Sequence, residues 1–255
     1  MGFSIVIPAR YGSSRLPAKP LHDIHGRSLI QRVCDCAAKS DAQHIIVATD
    51  DERIKTAISD VEVCLTRQDH RTGTDRLAEV VDQCGFDDDH IIVNLQGDEP
   101  LMPPIVIDQV ANNLSDRPAI AASTVCVRID EVADVFDPNV VKVVVDQKGY
   151  ALYFSRAPIA WDRENFPLQN DQPLPIDAAH FRHIGLYAYR AGFLRKFVHW
   201  PACPPERTEL LEQLRILWYG EKIHVEEALE SPGPGVDTEV DLDRVRRIFA
   251  ARVDP

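Results

Sequence analysis

Four short runs rich in Val and Ile mark the first hundred residues of this chain, at positions 3–7, 44–48, 61–65 and 90–95. Each is followed by a stretch whose apolar residues recur at helical spacing, at 29–38, 52–58, 75–84 and 103–114. Runs that are apolar on both faces suit strands covered by helices on both sides, the pattern of βαβ units in a mostly parallel sheet. Pro103 and Pro104 open the last of these helices, where a missing N–H costs little.

After residue 115 the alternation stops. Residues 119–127, 140–145 and 150–154 read as strands with no long helix between them, and 165–179, rich in Pro, Asp, Asn and Gln, reads as an exposed excursion. A strand resumes at 184–189. Residues 206–218 read as one helix with Leu210, Leu211, Leu214, Leu217 and Trp218 on its apolar side, and 241–251 as a closing helix. The expected architecture is α/β: a Rossmann-like, mostly parallel sheet with flanking helices in a single domain over 1–255. A β-rich insertion occupies about 128–190.

Charge narrows the partners. Lys and Arg number 28 against 40 Asp and Glu, a net of −12, which argues against a mainly electrostatic nucleic-acid binder. Small anionic ligands stay open, because a few local cations serve them inside an acidic protein. No apolar run approaches the roughly 18–20 residues that span a bilayer, and the start of the chain has neither a basic segment nor a cleavage site of the secretory kind. Six scattered cysteines suit reduced thiols, and Cys34 and Cys36, two apart on a helix, face different directions. The expected compartment is cytoplasmic, with no membrane and no nucleic-acid partner.

The segment after the first strand, Pro8-Ala9-Arg10-Tyr11-Gly12-Ser13-Ser14-Arg15-Leu16-Pro17-Ala18-Lys19-Pro20, packs three cations among small residues. Small residues let backbone N–H groups approach a phosphate while Arg10, Arg15 and Lys19 neutralise it. Gln96-Gly97-Asp98-Glu99-Pro100 ends the fourth strand, and Gly233-Pro234-Gly235-Val236-Asp237-Thr238 puts a second carboxylate on a tight turn. Two distant Asp residues and a cationic glycine loop are the parts of metal-dependent phosphoryl or nucleotidyl transfer. The patterns GxxxxGK[ST], GxGxxG and GxSxG are absent.

These blocks resemble the signature segments of sugar-activating cytidylyltransferases. Beyond the loop and the Gln96–Pro100 block, the likeness runs in order through Ala48-Thr49-Asp50-Asp51-Glu52-Arg53, Gly73-Thr74-Asp75-Arg76-Leu77, Tyr153-Phe154-Ser155-Arg156-Ala157, Arg182-His183-Ile184-Gly185, Leu211-Glu212-Gln213-Leu214-Arg215 and Trp218-Tyr219-Gly220-Glu221-Lys222. It departs at His25-Gly26-Arg27, where Asn-Gly-Lys is expected.

The resemblance implies a Mg²⁺-dependent nucleotidyltransferase of nucleotide-sugar and lipopolysaccharide biosynthesis. It would join CTP to the sugar acid 3-deoxy-manno-octulosonate (Kdo), giving CMP-Kdo and pyrophosphate. By position it implies Lys19, Asp98 and Asp237 as catalytic, with Asp98 and Asp237 on the metal. Pro8, Ala9, Arg10, Arg15, Lys19, Arg76 and Gln96 would hold the nucleotide. Arg156, His183, Tyr187, Glu212 and Gln213 would hold the sugar, and the β-rich insertion would be the dimerisation module of a homodimer. Against these stand blander readings: Glu212 and Gln213 on the polar side of a helix are commonly only solvated, and His180 with His183 lacks a third metal ligand nearby. Enzymes activating sialic acid or an amino-substituted Kdo, a nucleotide-dependent oxidoreductase and a non-catalytic nucleotide sensor are the alternatives.

Overall fold

The β-branched runs form strands and the periodic stretches form helices in the structure, a computed structural model that describes residues 2–12, 15–70, 72–166 and 180–253. Ser13, Ser14 and nearly all of the 165–179 excursion lie outside the described residues. In chain order, β1 (Phe3–Ala9) leads through a 3₁₀ turn (Lys19–Leu21) to the small hairpin β2 (Asp23–Ile24) and β3 (Arg27–Ser28). Then come α1 (Leu29–Ala37), β4 (His44–Thr49), α2 (Glu52–Thr56), β5 (Glu62–Leu65), α3 (Gly73–Gln83), β6 (Ile91–Asn94) and α4 (Pro104–Ser115). The second half holds β7 (Ala122–Arg128), α5 (Val132–Phe136), β8 (Lys142–Val145), β9 (Ala151–Ser155), β10 (Phe181–Arg190), α6 (Ala191–Phe197), α7 (Pro204–Glu209), α8 (Gln213–Trp218), β11 (Ile223–Glu227) and α9 (Glu239–Val253).

The main sheet runs β11-β7-β10-β6-β1-β4-β5. Strands β6, β1, β4 and β5 are mutually parallel, as is β11 with β7, and β10 alone on this path runs antiparallel to its neighbours. Strand alternation divides the core. Ile5 and Ile7 of β1 pack with α1 and α4 on one face, while Val6 packs with α3, α6 and α8 on the other. Strands β8 and β9 form an antiparallel extension hung on the start of β10, so only part of 128–190 stands apart from the central sheet. No helix among the described residues is long and apolar enough to cross a membrane.

Two expectations change. The helix expected over 206–218 is broken into α7 and α8, because Leu210 adopts a left-handed conformation (φ 53°) and is 77% exposed. Elements α5, α6 and β11 are additions to the expected elements. At the hairpin β2–β3 both turn residues, His25 and Gly26, have positive φ, as a two-residue turn of this hand requires. His25, standing where the resemblance expects Asn, is tied by its ring Nε2 to the Arg246 carbonyl of α9.

Candidate active site

Parallel strands that share a direction also share a carboxyl edge, and the loops leaving that edge build the crevice. The ends of β1 and β6 lie side by side there. Gly97 is required at this crossing: a Cβ on it would stand 2.9 Å from the Pro8 carbonyl oxygen. The cationic loop is held from beneath by Leu16, fully buried with Ile24, Leu29, Leu101, Val236, Leu242 and Val245. Burying such a side chain contributes about 1.5–3 kcal/mol, enough to fix the middle of the loop while Arg10 and Arg15 stay exposed.

The result is a crevice of about 300 Å³ lined by Pro8, Ala9, Arg10, Arg15, Lys19, Arg76, Gln96, Asp98 and Asp237. It thus gathers all nine residues that the resemblance assigns to nucleotide and metal. Lys19 Nζ donates to Asp98 Oδ2 at 2.6 Å and Asp237 Oδ1 at 3.0 Å, and Arg15 reaches the same Asp237 oxygen at 3.0 Å. Burial pulls the Lys19 ammonium down, but Asp98 and Asp237 outweigh it and hold its pKa above the usual lysine value. Burial, with the charges of Asp98 and Asp237, pushes the Glu99 carboxyl up to about 8. It therefore keeps its proton at neutral pH and adds no third negative charge to the pair. Among the described residues no three His, Cys, Asp or Glu side chains cluster as a metal site.

Helix α3 aims its N-terminus at this crevice. Thr72 caps it, accepting from the Asp75 N–H while the Asp75 carboxylate accepts from the Thr72 N–H. One turn on, Arg76 is buried, its guanidinium bound by Asp50 at 3.0 Å and by the Thr66 hydroxyl.

A second crevice, about 460 Å³, shares Gly73 and Gln96 with the first. His183, Tyr187, Glu212 and Gln213 line it, together with Thr74, Asn94, Asn139 and Arg182, which sequence reasoning did not single out. Because β10 runs antiparallel, its first half lies at the edge where β1 and β6 end, which brings His183 and Tyr187 here. The break at Leu210 turns Glu212 inward, where it accepts from the Thr74 hydroxyl at 2.5 Å. Burial raises its carboxyl above the usual value against the pull of Thr72 and Thr74. Burial also takes the His183 imidazole down to about 3, so it is a neutral partner at working pH.

Seven buried polar side-chain atoms among the described residues lack a hydrogen-bond partner of good geometry. Four of them, Asn94 Oδ1, Arg182 Nε, Tyr187 Oη and Glu212 Oε1, belong to residues of this one crevice. Orphaned polar atoms are costly, so their concentration marks a place built for a polar ligand. Asn94, a polar residue closing an apolar strand, carried a signal the sequence could have yielded. Arg156, the remaining residue assigned to the sugar, lines neither crevice; its Nε and Nη1 donate to the carbonyls of Glu209 and Pro138.

A family model described as cytidylyltransferase matches residues 4–223. The 3-deoxy-manno-octulosonate cytidylyltransferase of Aeromonas hydrophila subsp. hydrophila is 55% identical over 256 residues, covering 98% of this chain and 100% of that protein. Its counterpart in Aeromonas salmonicida is 53% identical over 259 residues, covering 98% and 100%. Among solved structures, CMP:2-keto-3-deoxy-manno-octonic acid synthetase complexed with CTP matches with a TM-score of 0.89 at 41% identity, covering 99% of this chain and 100% of that one.

Proposed function

The chain belongs to the cytidylyltransferase family, and from that premise we propose that it transfers the cytidylyl group of CTP to 3-deoxy-manno-octulosonate, releasing pyrophosphate and forming CMP-Kdo. The observation that carries the reading is the pair of crevices meeting at Gly73 and Gln96, one rich in cations and one lined by hydrogen-bonding groups around Arg182. A triphosphate in the first and a polyhydroxylated acid in the second bring the sugar's anomeric hydroxyl to the α-phosphate, and the bond to the pyrophosphate breaks as the new P–O bond forms. The protein's contribution is alignment and charge neutralisation.

Arg10, Arg15 and Lys19 take the phosphates, Pro8, Ala9, Arg76 and Gln96 the nucleoside side. His183, Tyr187, Glu212 and Gln213 meet the sugar hydroxyls, and Arg182, the cation lining that crevice, meets the carboxylate. Oxygen donors from two separate loops within reach of one ammonium suit Mg²⁺, which takes one or two protein carboxylates and completes its shell with phosphate and water. Asp98 and Asp237 would hold it, and it would supply charge stabilisation at the transferred phosphoryl group. Lys19, which now bridges the two carboxylates, is free to turn to the phosphates once they are otherwise neutralised. The reading places the enzyme in the cytoplasm, in lipopolysaccharide biosynthesis, as a homodimer joined through β8 and β9.

Pyrophosphate release with the four nucleoside triphosphates crossed against Kdo, sialic acid and mannose 1-phosphate tests it. The expected outcome is turnover for CTP with Kdo, dependent on Mg²⁺; faster turnover with sialic acid overturns the substrate assignment.

A further inference from the structure

Lys142 is fully buried, among side chains that are rarely so unless paired. No carboxylate pairs with it among the described residues. Its three ammonium donors go instead to three main-chain carbonyls: Asp137 at 2.8 Å, Val140 at 2.6 Å and Arg156 at 2.7 Å. The first two belong to the loop 137–141, which supplies Asn139, Val140 and Val141 to the wall of the second crevice. The third closes β9.

Arg156 extends the same knot. Its guanidinium holds Pro138 of that loop and Glu209 at the end of α7, and its main-chain N–H donates to the Glu209 carboxylate at 2.9 Å. Glu209 also accepts from Ser155 Oγ at 2.6 Å. Three and four residues further on, Glu212 and Gln213 line the same crevice. One network therefore ties the loop 137–141 to the segment that carries Glu212 and Gln213.

We propose that Lys142 is a positioning residue for sugar-acid binding: by gathering the carbonyls of Asp137, Val140 and Arg156 it sets the distance between the Asn139–Val141 wall and the Glu212–Gln213 wall. Arg156 serves the same clasp. Among the described residues Lys142 hydrogen-bonds to none that lines the first crevice, so its effect falls on one substrate. This rests on reading the second crevice as the sugar-acid side.

Steady-state kinetics of wild type, Lys142→Met and Asn139→Ala, each with CTP and Kdo varied in turn, decides it. Met keeps the bulk but takes a donor from three main-chain carbonyls, of which Asp137 keeps the Val140 N–H, so Lys142→Met should raise KM for Kdo roughly tenfold or more with KM for CTP within about twofold. Asn139→Ala changes an exposed side chain and should fold normally while raising KM for Kdo in the same selective way. Equal rises for both substrates, or an unchanged Kdo KM in a folded Lys142→Met, overturn the inference. Where Lys142→Met does not fold, Asn139→Ala decides alone, and an unchanged Kdo KM overturns it. A wild type that makes no CMP-Kdo removes the substrate reading, and the inference with it; normal wild-type turnover beside an unselective variant removes the inference only.

Discussion

His183 shows how one half-buried side chain sets both chemistry and pH response. Its ring packs edge-on to Phe154 at 4.9 Å and beside Tyr187 at 5.2 Å, with Thr124 Oγ1 3.1 Å from Nε2. With its pKa taken down to about 3 by burial, the native ring stays neutral where an unfolded histidine, near 6.5, binds a proton. Between those values the unfolded state holds more protons, so stability falls as pH drops through that window, by at most about 1.4 kcal/mol per unit. Urea unfolding of wild type and His183→Gln at pH 7.5, 5.5 and 4.5 should give a smaller loss for the variant; parallel losses would show that the native ring does titrate. Glu99, beside Asp98 and Asp237, and Glu212, in the second crevice, are likewise carboxyls raised by burial. At Gly235, a Cβ would stand 2.9 Å from Glu99 Oε1, so a larger residue in the turn that presents Asp237 would displace the Glu99 carboxyl.

At the scale of elements, the break between α7 and α8 matters most. A continuous helix over 206–218 would leave Glu212 on an outer face; the left-handed Leu210 ends α7 and lets Glu212 start α8 at the crevice. Packing elsewhere makes the break worthwhile, since Glu206 and Arg215 form a buried ion pair across it. A left-handed residue costs an L side chain about 1–2 kcal/mol, least for Asn and most for β-branched residues. Leu210→Asn should therefore be at least as stable as wild type, and Leu210→Ile less stable by about 1 kcal/mol, a drop in Tm of about 2–4 °C. Differential scanning calorimetry of the two variants measures this, and equal Tm values would mean that the turn carries no strain. The hairpin β2–β3 repeats the theme: His25 tolerates its positive φ with a hydrogen bond to α9 as compensation.

At the scale of the whole molecule, β9 pairs among the described residues only with β8, and in it Leu152 is 61% and Tyr153 39% exposed. Unpaired apolar edges are interaction surfaces, so on the proposed homodimer light scattering should give twice the 28.6 kDa chain mass, with Leu152→Lys shifting it to the monomer. A monomeric wild type would remove the dimer from the reading. The sequence alone determined the mostly parallel sheet, the cationic loop after β1 and the two carboxylates, because strand and helix periodicity and the chemistry of a short loop are local properties. Every residue assigned to the nucleotide met the others at one crevice for that reason: parallel strands deliver their following loops to one edge. Only the tertiary structure decided the second crevice. Its walls come from an antiparallel strand, a broken helix and a loop held by Lys142, and its contacts join residues as distant as Thr74 and Glu212. No periodicity encodes which buried polar atom is left for a ligand, as at Arg182, or which arginine is consumed by backbone carbonyls, as at Arg156. That depends on which neighbours three-dimensional packing supplies to each donor and acceptor.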